Sequence, residues 1–128
     1  MNEPKDSQEL LPKSPLDVLE STAREISSLE KEAQRALGSK DPNEYKRVLH
    51  TKAEIMVNLP TKLDDLLQRG IPVPDGIIDQ SANFAVMARK FLGTDNYFGM
   101  GVLLIPKGLK TGEPNDLEKL IDQLKNPE

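Results

Sequence analysis

The chain of 128 residues contains no cysteine. Disulfide scaffolds, Cys-ligated zinc and thiol nucleophiles are therefore excluded. It has no Trp, two Tyr and three Phe, so any core has to be aliphatic. With a single histidine, every imidazole role would fall to His50. No apolar run approaches the roughly 20 residues that a membrane helix needs. The longest, Tyr97 to Ile105, has two glycines inside it. No membrane partner is expected. Positive charge is also short: 17 Lys and Arg stand against 21 Asp and Glu, a net charge of -4. Phosphate contacts need a surplus of cations, so no nucleic acid is expected as a partner. The pairs Lys46-Arg47 and Arg89-Lys90 stand isolated. Met1 to Asp6 shows no basic start leading into an apolar run, so no signal peptide is expected. With the lack of cysteine, this suggests a cytoplasmic protein.

Aliphatic residues are plentiful. Leu, Ile, Val and Phe make up 27% of the chain. That exceeds the level below which chains fail to collapse, so a folded domain is expected, and the length suits one. Residues 1–13 carry Pro4 and Pro12 and no periodicity, which reads as a flexible tail.

Four helices can be read directly, all from start signals followed by apolar stripes. Ser14 is a candidate N-cap, with Pro15 at N1 and Asp17 at N3. Leu16, Leu19, Ala23, Ile26, Ala33 and Leu37 follow at alternating spacings of three and four. Glu30 breaks that seam, and Gly38 is the expected stop. The second helix, 41–69, repeats the start with Asp41, Pro42 and Glu44. Its stripe is Tyr45, Leu49, Lys52, Met56, Leu59, Leu63 and Leu66. The stripe holds its phase across Pro60, so one helix kinked there is expected. A link as short as Gly38 to Lys40 makes the two helices antiparallel neighbours.

The third helix, 75–93, has Asp75 as a candidate N-cap. Ile77, Ile78, Ala82, Ala85, Val86, Ala88, Phe91 and Leu92 form its broad face, and Gly93 is its expected stop. Residues 95–106 are apolar all round and read as a short buried helix, capped by Thr94 or Asp95, because no partner strand exists. A C-terminal helix, 115–126, opens on an Asn115/Glu118 capping box and carries Leu117, Leu120, Ile121 and Leu124. The fold class is thus all-α: a long helical hairpin packed by a third helix and one or two short C-terminal helices.

Chemistry-bearing residues are sparse. His50 and Glu54 form an i, i+4 pair, but no Glu-x-x-His motif supports a metal site. Ser21, Ser27, Ser28 and Ser81 lie in no nucleophile motif and read as helix-surface serines. Asp64-Asp65, Asp75 and Asp79 could hold a divalent ion, although capping and solvation explain them. Gly99-Met100-Gly101 lacks a third glycine, since Leu104 stands there; it reads as close helix packing. No catalytic residue, cofactor or metal is assigned.

What stands out is surplus apolar surface. Tyr97, Phe98, Met100, Val102, Leu103 and Leu104, with Leu117, Leu120, Ile121 and Leu124, are the candidate contact residues. They imply a non-enzymatic helical interaction module that forms a homo-oligomer, most simply a dimer, or docks on a partner helix. The alternative is a small-ligand or regulatory domain with a pocket between helices, lined by Tyr45, Tyr97 and Phe98, with His50 reporting pH.

Overall fold

A computed structural model describes residues 12–103 and 115–126. Among them are five helices and no strand: α1 (Pro15–Gly38), α2 (Pro42–Gln68), α3 (Asp75–Gly93), α4 (Tyr97–Val102) and α5 (Asp116–Lys125). The fold is an all-α bundle. Its centre is α2, which packs against α1, α3 and α4, while α5 docks on α1.

The helix starts arise as local capping chemistry dictates. Ser14 Oγ accepts from the Asp17 amide at 3.1 Å, with Pro15 in the first turn. Asp41 Oδ1 accepts from the Glu44 amide at 3.1 Å. The second box is only half made, because the Asp41 amide already donates to the Ala36 carbonyl. The Glu44 carboxylate turns to Arg47 instead, which grips it through two hydrogen bonds. That grip holds the Glu44 carboxyl below its ordinary range and raises Arg47. At α3 the N-cap is Pro74, without a side-chain hydrogen bond. Asp75 is therefore the first helical residue rather than the cap. Asn96, not Thr94 or Asp95, caps α4 by accepting from the Gly99 amide at 2.8 Å. At α5 the Asn115/Glu118 box is complete in both directions.

The helix ends differ from the glycine rule in two cases of three. Gly70, at φ +82°, does terminate α2. Gly38 and Gly93, however, lie inside their helices. The left-handed residue falls two places later, at Lys40 (φ 56°) and Asp95 (φ 50°). At Lys40 the pattern is a Schellman turn: the Lys40 amide reaches the Leu37 carbonyl and the Asp41 amide that of Ala36. A side chain in this conformation carries strain that glycine avoids. Lys40→Gly is expected to raise stability by about 0.5–1 kcal/mol, net of the added unfolded-chain entropy. A denaturant midpoint that falls would reject the strained turn.

Ion pairs confirm the antiparallel hairpin. Arg47 approaches Glu32, Lys52 pairs with Glu30 and Lys62 with Glu25, so the partners run in opposite directions along the two helices. The α2 stripe is buried as its spacing predicts: Leu49, Lys52, Met56, Leu59, Leu63 and Leu66 all face inward. Helix α2 continues through Pro60 without a break. The α1 seam is rotated from expectation. Val18, Leu19, Thr22, Ile26, Ala33 and Ala36 are buried, whereas Leu37 is exposed. Thr22 fits inside because its hydroxyl donates to the Val18 carbonyl at 2.8 Å. On α3 the buried line is Ile77, Ser81, Ala85 and Ala88, while Ala82 and Val86 face out. Ser81 is thus a core residue and not a surface one. Its hydroxyl is satisfied by the Ile78 carbonyl at 2.9 Å.

Only the end of the expected tail, residues 12 and 13, lies within the described range. It is tied down there: Arg69 donates to the Pro12 carbonyl at 2.6 Å, and the Lys13 amide donates to Asp17.

Candidate functional site

The short helix α4 and the polar node beneath it form the most distinctive feature of the bundle. Six residues cannot hold a helix alone, so α4 depends on what it touches. Its inner side is Gly99, Met100 and, just beyond, Leu103, all buried. Gly99 lies so close to the Phe91 ring that an added Cβ would sit 2.5 Å from it. Gly101 lies near the Tyr45 hydroxyl and Leu49. Lys46 approaches the Tyr97 ring, its Nζ 5.4 Å from the centroid. Gly99 therefore allows the close approach to α3 that packing through small residues suggests, whereas a side-chain carbon at Gly101 would make only ordinary contact with α2.

Below α4 lies Lys52, whose side chain is 1% exposed. Its Nζ sits 3.1 Å from Glu30 Oε2 on α1 and donates to the Gly101 carbonyl at 3.1 Å. The two residues that interrupt the apolar seams of α1 and α2 thus meet each other. A buried ammonium without such partners would be strongly disfavoured. Beside this node is a cavity of about 360 Å³, lined among others by Lys52, Glu30, Tyr45, Gln34, Asn115 and Glu118.

Burial pushes the Lys52 ammonium below its ordinary range, and the charge and hydrogen bond of Glu30 pull partly back. The folded chain thus gives up this proton more readily than the unfolded one. The burial cost is fully present below the folded-state pKa. It is relieved as pH rises from there toward the unfolded value of about 10.4. Wild type should therefore gain stability relative to Lys52→Met across that alkaline window. A difference that stays flat, or slopes the other way, would show that Lys52 is not a desolvated cation.

The outer side of α4 is different. Phe98 is 81% exposed and Val102, one turn on, is 40% exposed. The remaining candidate contact residues divide clearly. Met100, Leu103, Leu117 and Leu120 are buried within the chain's own core. Tyr97, Ile121 and Leu124 pack partly against it. Leu104 lies outside the described residues. The segment 95–106 is therefore not buried all round: among its described residues, one side of α4 is core and the other faces solvent.

The other candidates remain apart. His50 is half exposed, with Nδ1 3.6 Å from Glu54. Asp64, Asp65, Asp75 and Asp79 are exposed, and Asp65 pairs with Arg69. Among the described residues no three acidic or histidine side chains converge on a metal position. No described helix is long and apolar enough to cross a membrane. Tyr45 lines the cavity, as the pocket alternative requires, but Tyr97 and Phe98 are not among its lining residues. Neither a family model, nor a curated protein, nor a solved structure matches the chain.

Proposed function

We propose that the chain is a non-enzymatic interaction module that self-associates through the outer side of α4. The observation carrying this reading is Phe98, an aromatic side chain 81% exposed beside the exposed Val102. Large aromatics at the centre of a contact surface contribute most of its binding energy. The exposed Leu37 and Leu67 stand singly on longer helices and are ordinary there; Val86 and Met87 are neighbours on α3 but supply no aromatic. A second copy is the simplest occupant, because a two-fold axis near α4 would bring Phe98 against its own equivalent. The net charge of -4 is small enough to permit such pairing.

Light scattering on the full chain tests this. Wild type is expected to be a dimer whose thermal midpoint rises with protein concentration, and Phe98→Ser a folded monomer whose midpoint does not. Truncating a surface aromatic removes no core packing, so the variant loses only the part of its stability that association contributes. A monomeric wild type across micromolar concentrations would reject self-association.

The cavity beside Lys52 favours a second reading, a small-ligand domain. What supports it is the convergence of Lys52, Glu30, Tyr45 and Gln34 on one hollow, rather than its volume of about 360 Å³, which other hollows of the surface exceed. A metabolite screen by thermal shift distinguishes the two, since only a bound ligand raises the midpoint with its own concentration.

A further inference from the structure

We infer that Lys52 is a latch that fastens α4 to the hairpin and so sets the position of Phe98 and Val102. The inference rests on the reading of α4 as a contact surface, and the latch itself can be tested without it.

Helix α4 ends at Val102, and the last carbonyls of a helix have no partner within it. The Gly101 carbonyl is one of these. It receives its hydrogen bond from Lys52 Nζ at 3.1 Å, a donor 49 positions away in the chain. A cation at this end also meets the negative pole of the helix. The same Nζ is held by Glu30 on α1 at 3.1 Å. One side chain thus joins α1, α2 and α4. The α1–α2 contact has other support, from the apolar seam on either side of this node and from the Lys62–Glu25 and Arg47–Glu32 pairs. Among the described residues, the C-terminal end of α4 is held by the Met100 and Leu103 side chains, by Gly101 lying against Tyr45 and Leu49, and by this charged hydrogen bond. A methionine at position 52 could fill the seam but could not hold Gly101. Its effect should therefore be local to α4.

Hydrogen exchange on the full chain reads this out. It is performed in the Phe98→Ser background, so that any protection from association is removed. Adding Lys52→Met is expected to speed exchange of the amides of residues 99–103 at least tenfold, with those of Leu59 to Leu66 in α2 unchanged. Exchange within twofold of the parent over 99–103 overturns the latch. Should Lys52→Met fail to fold, the ammonium of the otherwise wild-type chain decides by NMR. A slowly exchanging Lys52 signal coupled across its hydrogen bond to the Gly101 carbonyl supports the latch, and an ammonium in fast exchange with water overturns it. If exchange rises over 99–103 while wild type is monomeric, the latch stands and self-association falls.

Discussion

Glu30→Ala is expected to cost about 3 kcal/mol, a drop in thermal midpoint on the order of 10 °C. Glu30 itself is about one-third exposed and could be hydrated alone. The cost comes from its partner. Lys52 is 1% exposed and, among the described residues, would keep the Gly101 carbonyl alone, a neutral acceptor, to offset its charge. Removing one member of a buried pair leaves an uncompensated ion, which is far worse than removing both. The double variant Glu30→Ala, Lys52→Met should therefore recover most of the loss. The measurement is a double-mutant cycle by denaturant unfolding. Additive single effects, with no recovery in the double variant, would mean that the two side chains do not share their charge in the folded protein.

The cycle also addresses why an ion pair occupies a position that leucine could fill. A purely apolar seam permits a helical hairpin to slide by a turn or rotate, because one leucine pocket resembles the next. A single buried polar contact removes that degeneracy. Lys52 lies ten residues after the start of α2 and Glu30 eight before the end of α1. They are nearly equidistant from the turn, so only one register pairs them. The contact that fastens α4 thus also disfavours any register that would leave Lys52 buried and unpaired, beside the short Gly38–Lys40 link and the two outer ion pairs.

Much of this architecture is legible in the sequence because it is local. Proline at N1, a cap before it and an acidic residue at N3 act within four residues, so α1 and α2 start where their sequences place them. The α2 stripe is regular because α2 is covered on several sides, by α1, α3 and α4. The α1 seam and the α3 face are less regular, and their rotation depends on which neighbours cover them. That is tertiary information: Thr22 and Ser81 are buried because their hydroxyls can bond back to their own helix, an option the hydrophobic pattern does not record. The stops at Lys40 and Asp95 are hidden for a related reason. Glycine is preferred in the left-handed position but not required there, and the end contacts of α1 and α3 hold other residues in it. The polar node was half visible. Glu30 stands out as a break in one seam and Lys52 sits in the stripe of the other, but only the hairpin register brings them together. The outer side of α4 was hidden because a run that is apolar throughout has no preferred face.

Leu117→Ala should destabilise the chain by about 3 kcal/mol without changing its oligomeric state. Leu117 is fully buried and Leu120 nearly so. Helix α5 has ten residues, too few to be stable in isolation, so its order must come from docking. It docks on α1 of its own chain. The Lys125–Glu20 pair at 3.2 Å marks the alignment but lies largely in solvent, where such pairs contribute little. Burial of Leu117 and Leu120 is therefore the dominant attachment, and truncating either opens a cavity along α1. Lys125→Ala, by contrast, should change stability by less than about 0.5 kcal/mol. Denaturant unfolding and light scattering on the same samples separate the two places where the apolar surplus can go. Loss of stability at constant mass assigns Leu117 to the chain's own core. Constant stability with dissociation into monomers would instead make α5 the contact element. That result would move the association surface away from α4, and Phe98→Ser would then leave the oligomer intact.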